Sequence, residues 1–178
     1  MASKSLEIYT IGHSVLDMDD FLRLLKENYV KVLVDVRSKP YSRFNPQFNH
    51  DSLKHAMAYA GLEYVFSGQY LGGRPTDPTC YRDNVVPDDK ADYLKLVDYK
   101  QVMERDWYQR AIERLLKIAN ERLTAIMCSE EDPAHCHRHH LVTQSLLDRG
   151  ITVWHIRSDG NVEEARPLPA VAQQLPLL

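Results

Sequence analysis

The sequence predicts an α/β fold: a three-layer Rossmann-like or flavodoxin-like sandwich with a mostly parallel sheet of about five strands. Short apolar runs rich in β-branched residues alternate with segments of helical periodicity along most of the chain. Strands separated by helices call for parallel pairing through right-handed crossovers. Several of the apolar runs also end in polar turn residues, as strands do at the ligand-binding edge of an open parallel sheet.

In chain order, Glu7 to Ile11 reads as a buried strand closed by Gly12. Asp17 can cap a helix through Asn28, with Phe21, Leu22, Leu24 and Leu25 forming an apolar stripe. Lys31 to Val36 carries the Val-Leu-Val expected of a strand covered on both faces. Asp51 or Ser52 can cap a helix through Leu53, Ala56, Met57 and Ala60, stopped by Gly61. Leu62 to Phe66 is the third strand. Trp107 to Glu121 follows helical spacing, and Leu123 to Cys128 is the fourth strand. Pro133 suits the first turn of a helix running to Arg149 and ending at Gly150, and Ile151 to Ile156 is the last strand.

Residues 1–165 are expected to form a single α/β domain with long loop insertions at 38–50 and 68–106, the second holding a helix near Ala91 to Val102. Residues 166–178 read as a Pro-rich tail. Of the 178 residues, 44% are hydrophobic and 26% charged, an ordinary globular balance. A net charge of −3 does not describe a chain that coats nucleic acid or a membrane, although a local basic pocket is compatible with it. Without a membrane-length apolar run or a signal-type start, the expected location is the cytoplasm. Three cysteines, Cys80, Cys128 and Cys136, then read as thiols, ligands or nucleophiles rather than a disulfide framework.

The strand ends carry the chemistry. They are Gly12-His13-Ser14, Asp35-Val36-Arg37, Cys128-Ser129-Glu130 and Arg157-Ser158-Asp159-Gly160. His13, Asp35 and Cys128 are the candidate catalytic residues: a group titrating near neutral pH, a carboxylate, and a thiol at a strand end before a helix start. Ser14, Arg37, Arg43, Arg74 and Arg138 are the candidate anion or substrate binders, because a guanidinium engages phosphate or carboxylate through two donors. Tyr41, Phe44, Phe48 and Tyr70 lie on the loops, where they could stack on a base or close the loops onto the core. The chain has no Gly-rich dinucleotide fingerprint and no nucleoside-triphosphate loop.

Each candidate has a plainer reading. Gly, Ser and Asp favour turns in any protein, and a single Arg is most often a solvated or paired surface group. Cys128 fits a nucleophile and an inert packing residue equally well. A transition metal held by Cys128, Cys136, His13 and His137 is a competing account, against which the seven-residue gap between the cysteines departs from common zinc-ligand spacing.

Taken together, the residues resemble the domain-of-unknown-function 488 family of bacterial and archaeal proteins. The likeness rests on Thr10-Ile11-Gly12-His13-Ser14, Asp35-Val36-Arg37 with Pro40 and Ser42-Arg43-Phe44-Asn45, and Tyr70-Leu71-Gly72-Gly73-Arg74. It continues through Cys128-Ser129-Glu130, Pro133, Cys136-His137-Arg138, His155-Ile156 and Asp159-Gly160. The resemblance implies an α/β sandwich and supplies no reaction. Asp35-Val36-Arg37 with a strand-end cysteine is also similar to rhodanese sulfurtransferases, but the loop after Cys128 is acidic and lacks glycine.

The favoured expectation is an enzyme acting on a phosphate-bearing or other anionic substrate, a nucleotide or nucleic-acid end included, at the carboxyl edge of the sheet. The rival is a non-catalytic nucleotide- or metal-binding sensor or interaction domain. The cofactor is unassigned, with a transition metal as the candidate, and no membrane partner is expected.

Overall fold

In the computed structural model, which describes residues 5–169, a six-stranded sheet is built in the order β3-β2-β4-β1-β5-β6. The strands are β1 (Glu7–Gly12), β2 (Val32–Asp35), β3 (Glu63–Phe66), β4 (Thr124–Cys128), β5 (Thr152–Ile156) and β6 (Val162–Glu164). The first five run parallel and β6 is antiparallel on β5. The expected three-layer, mostly parallel sandwich is therefore present, with one more strand than the alternating pattern indicated. β6 is missing from that pattern because its three exposed residues, Val-Glu-Glu, carry no apolar run.

Strand β4 lies between β1 and β2, where the dinucleotide-binding order keeps those two adjacent. The chain thus moves outward one way from β1 through β2 to β3, and the other way from β4 to β5. Right-handed crossovers in opposite directions put their helices on opposite faces. On one face α1 (Met18–Glu27) and α2 (His50–Tyr59) bury Phe21, Leu24, Leu25, Leu53 and Met57 against Ile11, Leu33, Ala125 and Met127. On the other, α6 (Asp106–Glu121) and α7 (Gln144–Leu147) bury Ile112, Leu115 and Leu146 against Ile8, Val34, Ile126 and Cys128. The connecting segment also folds α3 (Gly68–Leu71), α4 (Tyr93–Leu96) and α5 (Tyr99–Met103).

Asp17 caps α1 as its sequence position predicts, its carboxylate accepting the Asp20 N–H at 2.7 Å. Three expectations need correction. Helix α2 starts after Asn49, so Asp51 and Ser52 lie within its first turn. The single helix expected near 91–102 is two short ones, separated by extended Val97, which bridges to Tyr81. The helix expected from Pro133 to Arg149 is interrupted at Cys136, whose backbone is extended (φ −135°, ψ 139°). Only a short 3-10 turn, Pro133–His135, precedes it; a wide-turned π-helical stretch, Arg138–Thr143, follows and runs into α7.

At the carboxyl edge the strand ends are stitched together. The N–H groups of His13 and Ser14 donate to Cys128 O and Ser129 O at 3.0 and 2.8 Å, extending the β1–β4 pairing beyond the strands. Ser14 adopts a left-handed conformation (φ 43°) to make this contact. Gly12 permits the close approach, since a Cβ there would sit 1.6 Å from Glu130 O. Of the expected tail, residues 170–178 lie outside the described residues. Its first part lies along α7, with Leu168 N–H donating to Gln144 Oε1 at 3.0 Å.

Gly12→Ala is expected to destabilise the fold by about 1–3 kcal/mol or more, the cost of overpacking against backbone that cannot move aside. Urea denaturation followed by circular dichroism measures it, and an unchanged midpoint would contradict the close approach of the 130–131 loop.

Candidate functional site

The strand ends deliver two polar clusters, divided by the sheet. Alternation along β4 points Ile126 and Cys128 to the α6/α7 face and Ala125 and Met127 to the other. By the same alternation His13 follows Ile11, and Asp35 follows Leu33, onto the α1/α2 face.

On that face Asp35 is fully buried and its carboxylate is saturated. Oδ1 accepts the Arg37 N–H and Nε–H at 3.1 and 3.0 Å, and Oδ2 accepts Arg37 Nη2 and the Tyr64 hydroxyl at 2.7 and 2.8 Å. Arg37 Nη2 also donates to Phe48 O at 2.7 Å, and Nη1 to His13 Nε2 at 3.3 Å. His13 donates its Nδ1 proton to Ser14 O at 2.9 Å and stacks on Phe48 at 4.3 Å. Burial is the main cause that lowers the His13 pKa to about 4. Both ring nitrogens are thus occupied, and the group is a neutral strut between β1, β2 and the 38–50 loop.

The second cluster lies across the sheet. Sγ of Cys128, Sγ of Cys136 and Nδ1 of His137 all lie within 4.8 Å of one another. His137 Nδ1 stands 3.5 Å from Cys128 Sγ and 4.0 Å from Cys136 Sγ. Its other nitrogen, Nε2, donates to Val36 O at 2.9 Å, which fixes the tautomer and turns the Nδ1 lone pair toward the sulfurs. The break at Cys136 accomplishes this placement: the extended residue swings its sulfur back, where it accepts the Arg138 N–H at 3.4 Å. Gly73 makes room for the imidazole, since a Cβ there would lie 2.6 Å from His137 Cγ.

Cys128 retains its proton, its pKa raised by the hydrogen bond to Cys136 and by burial. Burial also opposes charge on Cys136, but the hydrogen bond from the Cys128 thiol and the charge of Arg138 outweigh it, so Cys136 is the sulfur that ionises first. Burial likewise pushes the neighbouring Tyr99 phenol up.

These three residues form the floor of a cavity of about 400 Å3, a size typical of small-molecule sites. Arg37, Lys39, Tyr41, Arg74, Tyr93 and Tyr99 line its walls. Arg74 is exposed, with its guanidinium 4.5 Å from the Tyr93 ring centre and one donor 3.4 Å from Asp89 O. No carboxylate pairs with it among the described residues, whereas Lys39 pairs with Asp89 and Asp92 with Lys95. A hollow of about 560 Å3 lies elsewhere, around Lys31, Lys54, Glu63 and Arg122, but no thiol or imidazole lines it.

Arg37, Arg74, Cys128, Cys136 and His137 therefore meet at one cavity. His13, Asp35, Ser14, Arg43 and Arg138 are not among its lining residues. The expected four-ligand metal set loses His13, which the sheet holds on the other face. Arg138 is fully buried, donating to Glu130 O, to Glu131 O at 2.7 Å and to Thr10 Oγ1 at 3.2 Å, so each of its three guanidinium nitrogens is engaged within the fold. Arg43 is exposed beside Phe44, and Phe48 is a core residue. Tyr64, the partner of Asp35, and Tyr93 and Tyr99 of the cavity wall were not anticipated. β3 places Tyr64 beside Leu33 and hence on the Asp35 face, a relation visible only once strand pairing is known.

Fold and site together define a parallel α/β sandwich with a thiol- and imidazole-floored polar cavity at its carboxyl edge. A family model described as "Domain of unknown function DUF488" matches residues 17–144, and the chain belongs to that family. No curated protein and no solved structure matches the chain. Among the described residues no helix is long and apolar enough to cross a membrane.

Folding stability should fall as the pH drops. His13 and His155, both buried, have pKa values lowered to about 4 and about 3, chiefly by burial, against 6.5 for an unperturbed imidazole. Below pH 6.5 the unfolded chain takes up protons that the folded chain refuses, so unfolding becomes progressively more favourable until each folded value is passed. The combined effect is on the order of a few kcal/mol. Denaturant midpoints at about pH 7 and pH 5 test this, since the unfolded imidazoles titrate between them. An equal or higher midpoint at the lower pH would refute it.

Proposed function

We propose that the chain is an enzyme acting on a phosphate-bearing or other anionic substrate in the cavity at the carboxyl edge of the sheet. One observation carries the reading. Arg74, which pairs with no carboxylate among the described residues, faces the same cavity that is floored by Cys128, Cys136 and His137. A guanidinium pre-oriented on an aromatic face binds an oxyanion with little loss of side-chain freedom. The reacting part of the substrate then rests against two thiols and an imidazole, groups suited to nucleophilic or metal-assisted chemistry. Tyr41, 70% exposed at the rim, offers a stacking surface for a base, which favours a nucleotide or a nucleic-acid end as the anion. Arg37 contributes positive character to the wall, although its donors are engaged by Asp35, Phe48 O and His13.

Calorimetric titration with inorganic phosphate, nucleoside monophosphates and short 5′-phosphorylated oligonucleotides tests the reading. The best ligand should bind Arg74→Ala at least about tenfold more weakly than the parent, a loss of about 1.4 kcal/mol. Product analysis of the bound ligands should reveal turnover that disappears in His137→Ala. Equal binding by Arg74→Ala would sink the anion assignment, and binding without turnover of any ligand would sink the enzyme.

A further inference from the structure

We infer that Cys128, Cys136 and His137 form a binding site for one thiophilic divalent cation of the zinc type, with its fourth coordination position open to the cavity. The inference deepens the proposed function by supplying its reactive centre, and rests on that reading only for the role of the open position. Zinc bound at about 2.3 Å to sulfur and about 2.0 Å to nitrogen needs tetrahedral donors roughly 3.5–3.8 Å apart. The Nδ1 of His137 already stands 3.5 and 4.0 Å from the two sulfurs. Small side-chain adjustments complete the geometry.

The surroundings are those of a ligand set. A metal-bound imidazole ordinarily donates its remote N–H to a carbonyl or carboxylate, which fixes the coordinating nitrogen. His137 does so to Val36 O at 2.9 Å. Cys136 accepts a backbone N–H from Arg138 at 3.4 Å, and the neighbouring guanidinium tempers the charge of two thiolates. The three donors come from the end of β4 and the break before the π-helical stretch, elements tied together by Arg138. No carboxylate belongs to the group. Two sulfurs and one imidazole favour zinc, cobalt or ferrous iron over magnesium or calcium. Three protein ligands with a vacant fourth position are the pattern of catalytic rather than structural zinc. Binding displaces the thiol protons, so two thiolates and one neutral imidazole leave the site with no net charge alongside a divalent ion.

The test is a cobalt titration of the reduced, chelator-treated full chain, read by absorption and metal analysis. One Co2+ per chain should bind, with thiolate-to-cobalt charge-transfer bands and tetrahedral ligand-field bands. Cys136→Ser and Cys128→Ser should each lose part of the charge-transfer intensity. Affinity in each should fall by more than the roughly 10–100-fold typical of losing a partner outside the ligand set. Cys80→Ser, altered at a buried thiol outside the group, should titrate like the parent. Should a variant fail to fold, alkylation of the parent chain gives the same answer: Zn2+ should protect Cys128 and Cys136 from labelling and leave the rate at Cys80 unchanged. Absent charge-transfer bands, or thiols labelled equally with and without Zn2+, would overturn the site. Phosphate or nucleotide binding that depends on Arg74 in the metal-free chain would then leave the anion reading standing. Cobalt coordination in a chain that binds no anion would do the reverse.

Discussion

The guanidinium of Arg138 is the interaction on which the carboxyl edge depends. A fully buried cation is costly unless its donors are satisfied, and here backbone carbonyls of Glu130 and Glu131 and the hydroxyl of Thr10 take that role. The loop after β4 is thereby folded under the end of β1, where Gly12 leaves it room. Cys128 stands at the entrance of that loop and Cys136-His137 at its exit, so the same clamp brings both thiols and the imidazole together. The network continues from Thr10 to His155 and His139 at 2.6 and 3.1 Å, joining β1 and β5 to the helix start.

The sheet separates the saturated Asp35–Arg37 cluster from the thiol–imidazole cluster. On the α1/α2 face the Asp35–Arg37 pair is shielded from solvent and bonded on every side, an arrangement that costs heavily to disturb and specifies one conformation of the 38–50 loop. On the opposite face the sulfurs and imidazole meet a cavity open to solutes. Val36 links the two, lying between Asp35 and Arg37 in sequence and accepting the His137 N–H through its carbonyl. The rigidity of one cluster therefore sets the orientation of the other.

The cavity wall comes from a different part of the chain. Arg74, Tyr93 and Tyr99 belong to the long 68–106 insertion, which closes over the floor through the Gly72-Gly73 approach to Ser38 and His137. The Arg74 guanidinium and the thiol–imidazole group are thus contributed by segments distant in sequence. The floor is built on strand and helix ends, and the wall on the insertion, whose Leu71, Cys80, Tyr81, Val97 and Val102 are buried in the same core as the sheet.

Much of the fold was legible because it follows from local patterning. The apolar runs of β1 to β5, the Asp17 cap and the long periodic helix at 106–121 need no knowledge of their neighbours. The polar strand ends, and so the edge where the cavity opens, were legible for the same reason. Sequence alone could not assign sides. Alternation places neighbouring residues on opposite faces, but which face meets which helix depends on crossover direction, and that separates His13 and Asp35 from Cys128. Nor could it say which arginines are free: Arg37 is paired by Asp35, two residues away in the chain, whereas the fates of Arg74 and Arg138 are set by partners brought close only on folding. The break at Cys136 belongs to the same class. Its extended backbone opposes the local helical pattern, and the contacts that fix its position, with Cys128, His137 and the Arg138 clamp, exist only in the folded chain.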